Sequence, residues 1–361
     1  MSNLSLNLPI NSVSFGQVST LILREIYKRG LEPPLFPIGN VDLSSQVKDD
    51  GFFKWLENRI NTAADNHSRD NKCLKLWHLN GGLDSFSKNH SLITFYELDS
   101  PTKAEINAAK NCDNFILTSQ YAQNIFKENG IESKYIPLAF DEYNFKKKNK
   151  KYFDDGRINF ILCGKFEKRK NHAKTISAWA KRFGNDKKYS LQCCVYNNFA
   201  DENTNKQWFS QAVNNNKYFN IQFLGTMQTN ELYNDFLNSS DIVLAMSGAE
   251  GWGLPEFHSV AMGSHAVVLN ATSYKEWANK DNSVIVEPSG KVEAYDGVFF
   301  HKGAKFNQGN IYDYDEDQFI AACEEAIKRH ESNPNNEAGE KIVSDFTAEK
   351  MVDSLLKIVL D

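Results

Sequence analysis

Short apolar runs alternate with helix-period segments along nearly the whole chain, twice over, on either side of a charged stretch. No other feature constrains the fold as tightly. Strands separated by helices pair in parallel, and a parallel sheet needs helices over both faces. In the first half, strand signals fall at 4–8, 74–79, 92–96 and 114–118. After the polar loop 11–16, Val18, Leu21, Ile22 and Ile26 repeat at helical spacing, and Gly30 ends the run. Spans 102–110 and 121–129 carry the same period. The second half is cleaner: strands at 158–163, 189–195, 221–224, 241–245, 266–269 and 283–286 alternate with helices at 173–183, 206–213, 230–237 and 255–262. Two amphipathic helices follow, 318–329 and 348–359, and Val352, Leu355, Leu356 and Val359 make one apolar stripe on the second. The pattern predicts an α/β chain of two doubly wound, Rossmann-like parallel-sheet domains facing across a cleft. In such sheets ligands bind beyond the carboxyl ends of the strands.

Length agrees with this division, since 361 residues exceed one ordinary core. Residues 1–145 and 157–340 are the expected domains. Between them, Lys146, Lys147, Lys148, Lys150 and Lys151 stand among acids and aromatics with no apolar period. That stretch reads as a linker, with a docking patch for an acidic partner as the sharper alternative. A net charge of -5 argues against a protein whose main task is gripping nucleic acid. No apolar run is long enough to span a bilayer, and residues 1–9 lack the pattern of a secretory signal. Six scattered cysteines without a C-x-x-C read as reduced thiols. A cytoplasmic protein without membrane insertion is expected.

Two loops carry the chemistry. In 249–263 a buried strand ends on an acid, Glu250, then Gly251 and Gly253 flank Trp252, and Leu254 and Pro255 open a helix. The glycines permit a sharp turn and close approach of backbone to ligand, and proline suits a first helical turn. Free amides and the positive dipole end at that start favour a phosphate, and Glu250 can accept hydrogen bonds from sugar hydroxyls. Taken alone, the stretch could equally be a structural turn. The second loop, 164–171, follows the first strand of this half and carries Lys165 and Lys170, two cations suited to a diphosphate; alone it could be a solvated basic turn.

Together, G-K-F-x-x-x-K-N at 164–171 and E-G-W-G-L-P…A-M-G at 250–263 resemble the retaining family-4 glycosyltransferases of the GT-B fold (glycosyl transferases group 1). Phe95-Tyr96-Glu97, the segment 116–121 and the segment 131–138 resemble that family's first-domain segments more loosely. The resemblance implies that Lys165 and Lys170 bind a donor diphosphate, with Glu250 beside the transferred sugar. It implies that Gly16 lies under the donor phosphates, and that 341–361 includes a helix crossing back to the first domain. Gly251, Trp252, Gly253, Leu254 and Pro255 would complete the donor site. It further implies a nucleotide-sugar donor (a UDP- or GDP-sugar, UDP-glucose among them), retention of anomeric configuration and no obligatory metal or other cofactor.

One departure stands out. The family's second motif acid, which holds the nucleotide ribose, falls on His258, while Glu256 should point to another side of the helix. Glu97 and Asp99 follow a buried strand of the first half and are the expected acceptor-side residues, with loop capping as the plainer alternative. His78 reads as a core or loop histidine. The acidic spacing at 313–324 resembles a calcium loop but lacks its turn glycine. The expected function is a retaining hexosyltransferase acting on an acceptor hydroxyl. A glycan, a lipid, a protein side chain and a modified nucleic-acid base are all open as acceptor. The rivals are an epimerase or phosphorylase on the same fold, and a catalytically degenerate subunit that binds a sugar nucleotide or partner.

Overall fold

The computed structural model describes residues 3–149, 153 and 155–361; Lys150 and Lys151 of the lysine run lie outside the described residues. Strands β1 (Leu4–Pro9), β2 (Leu35–Ile38), β3 (Lys72–Leu76), β4 (Asn89–Thr94), β5 (Asn114–Leu117) and β6 (Lys134–Tyr135) form one sheet, in the order β2-β1-β3-β4-β5-β6. Every neighbouring pair is parallel. The connecting helices are α1 (Ser14–Lys28), α2 (Asp50–Asn61), the short α3 (Ala63–Asn66), α4 (Lys103–Lys110) and α5 (Gln120–Glu128). Strands expected at 74–79 and 92–96 begin and end earlier. Leu79 and Tyr96 are buried past the strand ends, so the apolar run outlasts the ladder. The edge strand β2 and helix α2 gave no signal in the pattern; β2 contains Pro37, which only an edge tolerates.

The second sheet contains β7 (Ile158–Cys163), β8 (Tyr189–Cys194), β9 (Ile221–Phe223), β10 (Ile242–Ala245), β11 (His265–Leu269) and β12 (Val284–Val286), in the order β12-β11-β10-β7-β8-β9. It too is parallel throughout. Helices α6 (His172–Phe183), α7 (Glu202–Ala212), α8 (Asn230–Asn238) and α9 (Leu254–Ala261) connect its strands. This is the Rossmann order, and its direction of winding reverses between β7 and β10. The crevice of such a sheet opens at that reversal.

Next comes an antiparallel hairpin that the sequence pattern did not reveal, β13 (Pro288–Glu293) with β14 (Asn310–Tyr314). Helices α10 (Glu316–Ser332), α11 (Glu337–Glu340), α12 (Ile342–Asp345) and α13 (Ala348–Leu360) finish the chain. The acids at the start of α10 serve that helix: Asp315 accepts from the Gln318 amide at 3.0 Å.

Helix α13 lies against α1 and β3 of the first sheet. Its stripe of Met351, Val352, Leu355 and Val359 is buried there, each such side chain contributing about 1.5–3 kcal/mol. Arg29 meets Asp353 at 2.6 Å across the same contact. The segment joining the sheets is packed as well. Phe140 and Phe145 are buried, the Phe140 amide donates to Phe346 O at 2.8 Å, Lys147 pairs with Glu340 and Lys148 with Asp235.

Candidate active site

The loops after β7 and β10 meet at the switch point of the second sheet and are laced together. Gly164 takes a φ of +94°, and a Cβ there would lie 3.1 Å from Lys170 Nζ, so the lysine runs back over bare backbone. Arg169 donates to Ala249 O at 2.6 Å, and the Gly248 amide donates to Arg169 O at 2.8 Å. Asn171, itself left-handed at φ 55°, donates to Met246 O at 3.0 Å. These bonds bring the Lys170 ammonium onto Glu250 Oε1 although the two residues are far apart in sequence.

The result is a buried charge cluster. Arg169 approaches Glu167 at 2.8 Å, Glu250 at 3.4 Å and, from the end of β4 in the other sheet, Glu97 at 3.3 Å. Burial works against the Glu250 carboxylate, but Lys170 and Arg169 outweigh it and hold the group down at about 2. Burial likewise works against the Lys170 ammonium, and Glu250 overcomes it, raising the lysine. Glu97 moves the other way: burial raises it, with Arg169 opposing.

Helix α9 begins at Gly253, whose φ of +80° suits the left-handed turn; a Cβ there would stand 2.3 Å from the Tyr274 ring. Glu256, expected to face elsewhere, turns inward among Lys170, Glu250 and Tyr274, and burial pushes it up to about 7. The carboxyl reaches back to its own backbone amide, so the helix start already holds an acid. Glu250 is fixed by its amide donating to Thr272 Oγ1 at 3.0 Å, and Thr272 holds a φ of 46°, rare for a β-branched residue.

Two donor-side expectations need correction. The Trp252 side chain is buried against Phe257 and Phe346, not presented to the cleft, because the turn at Gly251 and Gly253 folds it under α9. His258 has both ring nitrogens committed: Nδ1 donates to Leu254 O at 2.6 Å, and Nε2 accepts from the Asp141 amide at 3.2 Å. Burial lowers its imidazole to about 4, so it stays neutral and joins α9 to the inter-sheet segment. Leu254 and Pro255 are half-buried in the first turn of α9.

The facing wall comes from the first sheet. A Cβ on Gly251 would stand 2.6 Å from Phe95 Cβ, and Gly251 O accepts from Thr118 Oγ1 at 3.2 Å. Gly16, in the first turn of α1, packs on Asn11; a Cβ would meet Asn11 O at 2.2 Å. Asp99 differs from the expectation. Its carboxylate is taken by the β13–β14 hairpin, through Lys291 at 2.8 Å and the Asn310 amide at 2.8 Å. Lys165 is separate from Lys170: its ammonium lies 4.2 Å from the Phe299 ring centre and 5.0 Å from that of Phe199. His78 edges the same space, lowered first by desolvation and then by the Lys165 charge.

Arg169 and Glu256 are the site residues that sequence reasoning passed over. Arg169 stands beside Lys170, and the one signal for it was an additional cation at a strand end. Among the described residues no group of three or more His, Cys, Asp or Glu is arranged to hold a metal ion, and no helix is long and apolar enough to cross a membrane.

Two facing Rossmann-like sheets with their switch points opposed constitute the GT-B architecture. Residues 144–297 match the family model described as Glycosyl transferases group 1. No curated protein matches the sequence. Among solved structures, a glycosyltransferase from Rickettsia africae superposes with a TM-score of 0.68 at 12% identity, over 99% of this chain and 97% of that one. Sucrose-phosphate synthase from Thermosynechococcus elongatus gives 0.67 at 12%, over 99% and 98%. Anabaena HepE in complex with UDP-glucose gives 0.67 at 13%, over 98% of each chain.

Proposed function

We propose that this protein is a retaining hexosyltransferase that moves a sugar from a nucleotide diphosphate, UDP-glucose or another UDP- or GDP-sugar, to an acceptor hydroxyl. The observation that carries the reading is the buried Lys170–Glu250 pair, with Arg169, at the switch point of the second sheet and opposite Glu97 of the first. The HepE complex with UDP-glucose supports the donor class. In this reading residues 1–145 are the acceptor-side domain, 157–340 the donor domain, and 341–361 return to the first. Free thiols at all six cysteines suit a cytoplasmic setting.

The reaction breaks the bond between the sugar's anomeric carbon and the diphosphate oxygen, while the acceptor oxygen bonds to that carbon from the same face. The acceptor proton passes to the departing phosphate oxygen. Lys165 and Lys170 meet the charge that develops on the diphosphate, with Gly16 beneath it and Gly251 and Gly253 giving the backbone close approach. Glu250 accepts from the sugar hydroxyls. Preorganised charge of this kind lowers the barrier by about 3 kcal/mol per group, and in this reading no metal is needed.

Thermal shift with UDP-, GDP- and ADP-sugars tests the donor, since a ligand at about 100 times its Kd adds about 2.7 kcal/mol. The wild type should shift with one nucleotide class, and the Lys165→Met/Lys170→Met double variant should not. An inverted product anomer by NMR would refute retention. A sugar-nucleotide-binding subunit without turnover is the second reading, motivated by the committed nitrogens of His258; a donor shift with no transfer to any acceptor would favour it.

A further inference from the structure

Lys170 and Glu250 are 7% and 4% exposed, so a sugar nucleotide reaches them only once the two domains part. The loop of the β13–β14 hairpin, residues 294–309, holds the domains together. It leaves the second domain and docks on the first, past the end of β4 and at the start of α4. Leu98, just beyond β4, is 1% exposed and clusters with Ala294, Phe300 and Ile311 of the hairpin. Phe306 packs against the first-domain core that includes Leu92, Phe115 and Phe126. The Asn307 amide donates to Glu105 Oε1 at 2.8 Å, and Thr102 Oγ1 donates to Lys305 O. Gly309 takes a φ of +129°, and a Cβ there would stand 2.3 Å from Asp99 Oδ1, so bare backbone closes on that carboxylate.

The other end of the first sheet is built differently. Beside the segment that joins the sheets, Asn144 donates to Gln46 Oε1 at 2.9 Å and Gln46 to Gln17 Oε1 at 2.8 Å. Asn230 of α8 donates to the same Gln17 oxygen at 2.9 Å. Neutral side-chain amides next to a covalent connection suit a hinge, and a docked loop at the far end suits a latch. The segment that matches the family model ends at residue 297, so the docking residues 305–309 lie beyond it.

We propose that loop 294–309 is a latch that keeps this chain closed over an occluded donor site, and that its release from α4 admits the sugar nucleotide. The proposal rests on the transferase reading above for what enters, and adds how entry is controlled. The Phe299 ring centre of the same loop lies 4.2 Å from the Lys165 ammonium. One loop therefore touches both the cation assigned to the diphosphate and the first domain.

The test uses the full chain and two variants confined to the hairpin. One is Lys291→Ala/Phe306→Ala. In the other, a two-residue Asn-Gly turn replaces 294–309 and joins Glu293 to Asn310, already partners in register. The milder point variant guards against a deletion that fails to fold. X-ray scattering without ligand gives the radius of gyration, and stopped-flow tryptophan fluorescence gives association rates for UDP-glucose, GDP-mannose and ADP-glucose. The wild-type rate should level off at high ligand concentration, where opening limits entry. In the variants the radius should rise, and the limiting rate should rise about tenfold. An unchanged radius overturns the latch. A larger radius with an unchanged association rate overturns its control of donor entry. If no sugar nucleotide binds the wild type or either variant, the transferase reading fails instead, and the radius still decides the latch.

Discussion

Lys170 keeps its charge in a place closed to water because Glu250 lies against it, and neither could be buried alone. Glu250→Ala should therefore cost about 3–5 kcal/mol of stability in urea unfolding, apart from any loss of turnover. Glu250→Gln, keeping the shape, should cost less. Glu256 sets a second, opposite dependence on pH. Its folded value of about 7 lies above the ordinary 4.5, so its contribution is fully present below about 4.5 and is lost as pH rises through 7. Glu250, held at about 2, contributes above 4.5 and loses its effect as pH falls toward 2. Between pH 4.5 and 7 only Glu256 of this pair titrates. Glu256→Gln should flatten the fall in Tm across that window, the wild type losing at most about 3 kcal/mol there.

Helix α9 shows how one short element ties the site to the core. One buried face carries Glu256 toward Lys170, while Phe257 and His258 pack on the other side, and Gly253 makes the turn into the helix. Gly253→Ala brings a methyl to 2.3 Å from the Tyr274 ring at a φ that alanine resists. We expect a loss of about 3 kcal/mol or more by chemical denaturation, together with loss of the donor thermal shift. Thr272→Gly relieves the left-handed strain but removes the hydroxyl under the Glu250 amide. The two effects are each about 1 kcal/mol and opposed, so its stability should stay within about 1 kcal/mol of wild type.

Across the whole molecule, contacts between the sheets set how far the cleft stands open. Glu276, after β11, accepts from the Gln120 amide at the start of α5 and from the Tyr135 hydroxyl, both at 2.6 Å. Arg169–Glu97 and the hold of the hairpin on Asp99 close the same face. Removing the clamp should favour the open arrangement, as hinge closure depends on such contacts. Glu276→Ala should raise the radius of gyration of the ligand-free protein in X-ray scattering, and saturating donor should restore it. An unchanged radius would show that the remaining contacts suffice.

The period of its apolar residues determined that this chain builds parallel sheets, because a strand buried on both faces must be apolar at nearly every position. Lys165, Lys170, Glu250 and the glycines between them were legible for a related reason: they follow such strands directly, and a strand end is where a parallel sheet exposes chemistry. The edge strand β2 with its proline, and the half-exposed hairpin β13–β14, left no such period to read. Only the tertiary structure decided which partner each charge has. Arg169 finds Glu97, Asp99 finds Lys291, and Glu256 rather than His258 faces the site. Those pairings depend on how loops distant in sequence cross a cleft, and local periodicity does not encode that distance.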